Sequence, residues 1–382
     1  MSNKKRIAVI FGGQSSEHEV SRVSAESVIR NINKDKYDVN MIGITMDGRW
    51  LSYDGPVENL STGKWQAIAE EKELNADSQL QEIVPENAKE NRAIMPGASA
   101  RNIFAVAGAE SENKKIDVVF PVLHGCNGED GTIQGLFELA GIPYVGCGVL
   151  GSALGMDKAY SKIIFEKEGL PQGEYLVFSR KQIKMDTGPL IKQVEEKLTY
   201  PCFVKPSNAG SSVGVSKAHN REELTAALEM AAKHDIRVLV EEFINGREVE
   251  CAVLGNDDAI ASTVGEIIPC NEFYDYQAKY IDNNSKAVIP ADLPEKTALK
   301  IREYAVRAFK SLDCAGLSRV DFFVHKETGE IFINEINTLP GFTSISMYPK
   351  LWEASGIPYN ELIEKLIYLA IERFEENKRE FN

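Results

Sequence analysis

Residues 319–338 read RVDFFVHKETGEIFINEINT, two short runs of apolar and polar residues joined by a polar turn. The central KETGE is typical of the turn of a β-hairpin, and we predict pairing in the register that opposes residues 325 and 331. In an antiparallel pair, opposed residues share a face of the sheet. The predicted register therefore puts four polar side chains on one face, in two opposed pairs: Asp321 with Glu335, and Arg319 with Asn337.

The shared face of this hairpin predicts a divalent-cation site. Opposed carboxylates such as Asp321 and Glu335 repel each other and are costly to bury, and a divalent cation removes that cost. Ligands that offer only oxygen atoms favour Mg²⁺ or Mn²⁺. The alternative is a solvated strand face with an Arg–Asp ion pair. The apolar partners packed around the polar set favour the metal site: Val320, Phe322, Ile333 and Ile336.

A lysine followed by a glycine- and serine-rich loop predicts a phosphate-binding site. Lys205 ends a strand and precedes SNAGSSVG, residues 207–214, whose small residues let phosphate oxygens approach the backbone closely. The order, lysine before glycines, differs from that of a P-loop. Taken alone, such a loop is more often a plain turn. A second candidate phosphate lysine is Lys158, which would otherwise be surface charge at the start of a helix.

Residues 238–248, VLVEEFINGRE, run from an apolar strand into an acidic connector. The acidic groups can accept hydrogen bonds from adenine and ribose, while Phe243 packs on the base. A charged linker between two lobes is an equally good interpretation of this segment alone.

Two turns near the N-terminus are further candidates. Residues 12–19, GGQSSEHE, contain Ser16 and then Glu19 three positions on, the pattern of a helix capping box. Residues 124–131, HGCNGEDG, follow a buried strand, where open α/β sheets bind ligands. Glu19 is therefore either a cap or a ligand-binding residue, and His124 either faces a ligand or satisfies a backbone carbonyl.

Strands and helices alternate over about the first 145 residues and predict an open α/β domain with a parallel sheet. The apolar runs at 6–11 and 117–123 are typical of buried strands, with a third strand at 37–45. Residues 47–115 are polar, and we predict helical insertions there. Two α+β lobes follow, so we expect three domains: 1–145, 146–243 and 244–382.

The composition excludes several classes of protein. The 43 basic and 57 acidic residues give a net charge of −14, which disfavours a nucleic-acid partner. The six cysteines form no CxxC pair, so we expect buried, reduced thiols. No stretch approaches the roughly 20 apolar residues of a membrane span, and the first apolar run is too short for a signal peptide. We therefore expect a cytoplasmic protein without a membrane partner.

Together these motifs resemble the ATP-grasp superfamily and, within it, the D-alanine–D-alanine ligase family. The resemblance spans nearly the whole chain, with the motifs in family order. The segments that carry it are GGQSSEHEVS, VLHGCNGEDGT, GSALGMDKAYSK, FVKPSNAGSSVG, EEFINGREVE, FYDYQAKY, SRVDFF and NEINTLPGFTSISMYP.

The resemblance implies a three-domain ATP-grasp fold and an ATP-dependent ligase that serves peptidoglycan synthesis. In the implied reaction two D-alanine molecules are joined through D-alanyl phosphate, with release of ADP and phosphate. The implied cofactors are ATP and two Mg²⁺ or Mn²⁺ ions, and the implied assembly is a homodimer.

The resemblance also implies residue roles. For the nucleotide it implies Lys158, Lys205, Ser212, Glu241, Phe243, Glu248 and Lys279, and for the metals Asp321, Glu335 and Asn337. For the first D-alanine and the bond-forming step it implies Glu19, Ser211, Tyr280, His124, Arg319 and Gly341. For the carboxylate of the second D-alanine it implies Ser346 and Met347, and residues 270–289 are the expected lid.

Four alternatives are weaker. A D-alanine–D-lactate ligase is disfavoured by Tyr280, because lactate-forming relatives tend to lack this tyrosine. A second alternative is another ATP-grasp carboxylate–amine ligase with a different substrate. A non-catalytic nucleotide-binding regulator need not retain the polar set of the hairpin. A dinucleotide oxidoreductase is disfavoured because no GxGxxG follows the first strand.

Overall fold

The computed structural model describes residues 4–81, 116–211, 213–268 and 286–378. Within these ranges the chain forms three β-sheets flanked by helices. None of the helices in the described part of the chain combines the length and the apolarity that crossing a membrane requires.

The N-terminal sheet has four strands, in the spatial order β3 (Trp50–Tyr53), β2 (Tyr37–Ile44), β1 (Lys5–Gly12) and β4 (Val118–Val122). Residues 7–11 of β1 are completely buried. This strand pairs in parallel with both of its neighbours, as expected for an apolar run covered on both faces. Of the described strands in this sheet, the edge strand β3 alone is antiparallel.

The expectation of helical insertions over 47–115 is wrong at β3, which is a strand. Leu51 and Tyr53 alternate inwards, and Tyr53 packs edge-on against the buried Trp65, whose ring also meets Phe11 at 4.9 Å. Burial of every second side chain is typical of a β-strand, and it identifies this short segment as one. Two helices do follow it, and residues 82–115 lie outside the described ranges. The helices of this region are α1 (His18–Asn31), α2 (Asn59–Thr62), α3 (Lys64–Gln81) and α4 (Thr132–Ala140).

The central sheet is antiparallel, in the order β5 (Tyr175–Ser179), β8 (Arg237–Glu242), β6 (Cys202–Pro206) and β7 (Ser216–Ala218). Its inner face, with Val204 and Val240, packs on the apolar sides of the helices behind it. Two helices precede this sheet and contact β13 of the third sheet: α5 (Val149–Met156) and α6 (Lys158–Lys167). The helices packed on the central sheet are α7 (Arg180–Met185), α8 (Gly188–Lys197) and α9 (Arg221–His234).

The third sheet has five strands, in the order β11 (Lys286–Val288), β10 (Ile260–Ile268), β9 (Gly246–Gly255), β12 (Gly316–His325) and β13 (Ile331–Asn337). Each of these strands pairs antiparallel with its neighbours. One face packs on α10 (Glu295–Ser311). The other packs on α11 (Met347–Ala354) and on α12 (Tyr359–Glu376).

The predicted hairpin register is correct at the polar face and wrong near the turn. Asp321 does oppose Glu335, and Arg319 does oppose Asn337. Towards the turn, however, Val324 rather than residue 325 opposes residue 331. A β-bulge accounts for this shift of one residue. Residue 321 pairs with 335, but residue 322 pairs with 333, so β13 contains one extra residue at this point.

The N-terminal and C-terminal sheets share one apolar core. Phe120 of β4 meets Phe342, which precedes α11, with ring centroids 5.9 Å apart. Arg373 of α12 stacks on Tyr144 at 4.2 Å and donates to the Gly146 carbonyl. The predicted boundary at 243/244 falls between β8 and β9. The one at 145/146 falls after the N-terminal sheet, although the core continues across it.

Candidate active site

A cleft of about 930 Å³ lies where the three sheets meet. Pockets of this size suit a small molecule such as a nucleotide together with a second substrate. Its lining is rich in charged side chains, including Glu17, Lys158, Lys205, Glu241, Arg319, Asp321 and Glu335.

The polar face of the β12–β13 hairpin forms one wall of the cleft. Arg319 is held by Asp321 through two hydrogen bonds of 2.7 Å, from Nε and from one terminal nitrogen. Glu335 lies 3.4 Å from the ammonium of Lys158. Asn337 accepts a hydrogen bond of 3.1 Å from the Leu339 amide. The ion pair considered as the alternative to a metal site is therefore present.

This donor set fits a magnesium ion only together with oxygens from a substrate. Among the described residues, no three His, Cys, Asp or Glu side chains are grouped to hold a metal ion. The hairpin offers the carboxylates of Asp321 and Glu335 and the amide of Asn337. Mg²⁺ is usually bound by one or two carboxylates, with phosphate oxygens and waters completing its shell. The residues present meet that requirement.

Three lysines occupy the floor of the cleft. Lys158 donates 2.9 Å to the Ala209 carbonyl and so contacts the predicted phosphate loop. Glu241 lies between Lys205 and Lys162, 2.6 Å from Lys162 and in direct contact with Lys205. Burial lowers the pKa of Lys162 to about 8, although Glu335 and Glu242 act in the opposite direction. Sequence analysis missed Lys162, which lies one helical turn after Lys158.

The start of α6 is fastened to the phosphate loop. The Asp157 carboxylate caps the helix by accepting hydrogen bonds from the amides of Ala159 and Tyr160. It also accepts a hydrogen bond of 2.6 Å from the Ser207 hydroxyl. The Lys158 amide in turn donates 2.9 Å to the Ser207 carbonyl. Lys158 is thereby positioned by main-chain contacts as well as by its side chain.

The predicted base- and ribose-binding residues also line the cleft. Phe243 is 40% exposed and packs 6.3 Å from Phe203, which leaves part of its ring facing the cavity. Glu248 lies on β9 at the same opening. Glu241, by contrast, points towards the lysines rather than towards Phe243's open face, so its carboxylate is shared with the phosphate end of the cleft.

The acidic residue at the N-terminal edge of the cleft is Glu17, and the prediction of Glu19 is wrong. The Glu19 side chain is 81% exposed and pairs with Arg22 at 3.6 Å, outside the cleft. The predicted capping box is also wrong, because α1 starts after Glu17 with no side-chain cap. The turn over 13–17 presents Glu17 inwards instead. Glu17 belongs to this turn, before the helix begins, whereas Glu19 is the second residue of α1 and faces away from the cleft.

Glu17 is buried and meets Ser211 of the phosphate loop directly. A Cβ at Gly125 or at Gly210 would lie 2.6 Å from a Glu17 carboxylate oxygen, so these glycines leave space for the carboxylate. Glu129 lies on the far side of Gly125 and accepts from its amide. Burial raises the pKa of Glu129 well above its usual range, and the negative charge of Glu17 raises it further.

His124 is buried, with both ring nitrogens in use. Nδ1 donates 3.1 Å to the Leu339 carbonyl, so Nε2 is the acceptor for the Ser24 hydroxyl at 3.1 Å. Burial lowers the pKa of His124 and favours this neutral form. The residue therefore satisfies a backbone carbonyl, the simpler of the two interpretations. It thereby fixes the segment that leads to Gly341.

Gly341 and the start of α11 form the opposite end of the cleft. Ser346 precedes the helix, and its hydroxyl lies 2.8 Å from the Thr343 hydroxyl. A Cβ on Gly341 would come within 2.8 Å of the Ser346 hydroxyl, so glycine permits this close approach. The Met347 amide is among the first of α11, where amide hydrogens are available to an anion.

The structure thus brings together every predicted site residue in the described ranges except Glu19. Three predicted residues, Ser212, Lys279 and Tyr280, lie outside these ranges, as does the expected lid up to residue 285.

Family models match most of the chain. Residues 6–147 match the model described as D-ala D-ala ligase N-terminus, and residues 164–368 match D-ala D-ala ligase C-terminus. The D-alanine–D-alanine ligase of Ruminiclostridium cellulolyticum is 69% identical, covering 99% of this chain and 98% of the relative. That of Acetivibrio thermocellus is 64% identical, covering 100% of both chains.

The chain is also similar to solved structures of ligases over nearly its whole length. The VanG D-Ala:D-Ser ligase from Enterococcus faecalis has a TM-score of 0.78 at 41% identity, covering 96% of this chain and 99% of that chain. The D-alanine–D-alanine ligase from Coxiella burnetii has a TM-score of 0.77 at 34% identity, covering 98% and 96% respectively.

Proposed function

The chain belongs to the D-alanine–D-alanine ligase family, and on that premise we propose how its cleft carries out the ligation. It is an ATP-dependent enzyme that joins two D-alanine molecules for peptidoglycan synthesis, as the motifs predicted. The predicted ATP-grasp fold class is likewise confirmed. One observation carries the assignment of the site: phosphate-type lysines, the hairpin carboxylates and a buried acidic anchor face a single cavity.

In the proposed first step, the carboxylate of one D-alanine attacks the γ-phosphate of ATP, giving D-alanyl phosphate and ADP. Lys158 and Lys205 neutralise charge on the phosphates, which is most of what phosphoryl transfer requires of a protein. Asp321, Glu335 and Asn337 would hold the metal ions. When bound, Mg²⁺ or Mn²⁺ supplies further neutralisation of phosphate charge.

Glu17 binds the ammonium of the first D-alanine in this proposal. It takes the place given to Glu19 by sequence analysis, because it is the glutamate that faces the cleft. Its contact with Ser211 sets the direction of the carboxylate. The resemblance adds Tyr280 to this pair.

In the second step, the amine of the other D-alanine attacks the acyl phosphate, and phosphate leaves. Arg319 and the Gly341 amide stabilise the tetrahedral oxyanion; one preorganised donor of this kind is typically worth ~3–4 kcal/mol. His124 contributes by holding the backbone just before Gly341. The incoming carboxylate is bound by Ser346 and the Met347 amide at the start of α11.

For the nucleotide we propose contacts from Phe243 to the base and from Glu241 and Glu248 to adenine and ribose, supported by their place in the lining of the cleft. Ser212 and Lys279 complete the phosphate and lid contacts by resemblance. Residues 270–289 are the proposed lid that keeps water from the acyl phosphate. A homodimer and a cytoplasmic location, where ATP is supplied, are also part of the proposal.

The decisive experiment measures phosphate release from ATP with D-alanine, L-alanine, D-lactate and D-serine, offered singly and in pairs. We expect release with D-alanine alone, none with L-alanine, and D-alanyl-D-alanine as the main product of mixtures. A preference for D-lactate or D-serine as the second substrate would contradict the proposal.

A further inference from the structure

Glu250 is a buried carboxylate of the cleft for which the proposed reaction has no role. It lies on β9, is 7% exposed, and directly opposes Asp321 of β12. Asp321 in turn opposes Glu335 of β13. Three adjacent strands therefore carry a row of three carboxylates across the wall of the cleft.

Arg319 lies between two members of this row. Its Nε is 3.2 Å from a carboxylate oxygen of Glu250, while the guanidinium also makes its two hydrogen bonds to Asp321. The residue opposite Arg319 on β9 is Ala252, whose small side chain leaves the diagonal path to Glu250 open. Both carboxylates raise the pKa of Arg319 well above its usual range, against the opposing effect of burial.

The two partners of Arg319 differ in what else they must do. Asp321 belongs to the proposed metal-binding set, and an oxygen that is bound to a divalent cation is a weaker acceptor for a guanidinium. Glu250 is outside that set. When the metal engages Asp321, Glu250 is the partner that compensates the buried charge of Arg319. To leave such a charge without compensation would be costly.

We propose that Glu250 is the positioning residue for Arg319, holding the guanidinium at the acyl-transfer end of the cleft while Asp321 serves the metal. The proposal rests on the proposed function, in which Arg319 meets the oxyanion. Glu250 touches neither substrate nor phosphate in this scheme; it acts through Arg319. Without its carboxylate, Arg319 has Asp321 as its strongest partner and competes with the metal for it.

The test compares Glu250→Gln with Glu250→Asp, which keeps the charge, and with Glu266→Gln as a matched control. Glu266 is a buried carboxylate of the neighbouring strand β10, held by Arg247 through two hydrogen bonds of 2.6 and 2.7 Å. The control therefore removes one carboxylate from a comparable arginine pair that lines the same cleft.

The first measurement is Mn²⁺ binding to the full-length protein with ADP, without turnover. For Glu250→Gln we expect the affinity to fall about 10-fold or more, as is usual when a side chain that orients a ligand is removed. Glu250→Asp should recover much of it, and Glu266→Gln should bind like the wild type. Equal losses in Glu250→Gln and Glu266→Gln would overturn the proposal, because charge alone would then explain them.

The second measurement is the amount of phosphate released per dipeptide formed. A displaced Arg319 slows amide formation and leaves D-alanyl phosphate to water, so Glu250→Gln should raise this ratio while Glu266→Gln does not. Arg319→Gln should raise it as well, and adding Glu250→Gln to that variant should change nothing further.

The outcomes separate the two levels of the scheme. If Arg319→Gln leaves the ratio unchanged, the proposed role of Arg319 in the reaction is wrong. If Arg319→Gln raises the ratio and Glu250→Gln does not, the reaction stands and the positioning role of Glu250 is overturned.

Discussion

At the scale of single residues, Glu17 and Glu19 give a matched pair for testing the first D-alanine subsite. Glu17 is buried in the cleft, whereas Glu19 faces solvent two positions later. Replacing Glu17 with Gln removes the charge opposite the substrate ammonium. We expect KM for D-alanine to rise about 10- to 100-fold, since a hydrogen bond to a charged group contributes about 1.5–3 kcal/mol.

The measurement is initial rate against D-alanine concentration at saturating ATP, with melting temperature as the check on folding. Glu19→Gln should match the wild type in both. If the two variants behave alike, the anchor for the ammonium lies elsewhere.

Glu335 is the residue on which the metal assignment depends most. Glu335→Gln replaces a carboxylate with a neutral amide, which binds hard cations less well, and it also removes the partner of Lys158. We expect turnover to fall at least ~100-fold, as for other interactions that stabilise transferring charge. Titration with Mg²⁺ checks this, and circular dichroism should show an unchanged fold. Near-normal turnover at low Mg²⁺ would contradict the assignment.

At the scale of secondary-structure elements, the β-bulge of the hairpin had a signal in the sequence. The partly buried Ile331 and the buried Ile333 are two apart, as in a regular strand, but the next buried residue, Ile336, follows after three. This change of spacing is what an extra residue in a strand produces. The bulge lets Ile333 and Ile336 both face the core while Glu335 still opposes Asp321.

The N-terminus of α6 is the element-scale feature that we expect to control ATP binding. Asp157→Ala removes the helix cap, the bond to Ser207 and the partner of Arg237. We expect a loss of stability greater than the ~1 kcal/mol of an ordinary cap. KM for ATP should also rise, because Lys158 directly follows the lost cap.

The matched control is Asn220→Ala, which removes the cap of α9. It should cost ~1 kcal/mol in unfolding free energy and leave KM for ATP unchanged. Thermal or denaturant unfolding and ATP saturation curves give both quantities. A normal KM for ATP in Asp157→Ala would show that the cap does not position Lys158.

At the scale of the whole molecule, contacts distant in sequence assemble the cleft. His124, at the end of β4, bonds to Leu339, more than 200 positions later, and to Ser24 of α1. Ser24 also accepts from the Phe342 amide at 3.3 Å. The N-terminal sheet is thereby joined to the segment that carries Gly341, beside the apolar core that both sheets share.

This connection predicts a dependence of stability on pH. Burial lowers the folded-state pKa of His124, although the charge of Glu17 and the Leu339 carbonyl oppose the shift. The stabilising contribution is therefore complete above the unfolded-state pKa of about 6.5 and is lost as pH falls below it. The uptake of one proton by the unfolded state lowers the unfolding free energy by at most about 1.4 kcal/mol per pH unit.

Unfolding free energy measured between about pH 5 and 8 tests this expectation, since histidine titrates there. For His124→Asn, the unfolding free energy should fall less steeply towards acid pH, by up to the slope that the uptake of one proton produces. The same substitution at the exposed His219 should leave the wild-type slope. If His124→Asn keeps that slope as well, the buried histidine is not its source.

Features that depend on the local order of residues were predictable from the amino-acid sequence. Apolar runs such as residues 7–11 predicted the buried strands, because a strand covered on both faces must be apolar throughout. The alternation in residues 319–337 predicted which polar groups share a face, since opposed residues in an antiparallel pair lie side by side. The order of the motifs along the chain indicated the family.

The packing of the three sheets, in contrast, sets which groups face the cleft and what they contact. Glu17 and Glu19 are equally acidic and nearly adjacent, and only the entry angle of α1 turns one inwards. Two of these contacts join elements that are remote in sequence. Glu241 is shared between Lys162 and Lys205, and Arg319 is shared between Asp321 and Glu250. Such pairings depend on how sheets pack against one another, and the spacing of residues along a single strand or helix carries no information about that packing.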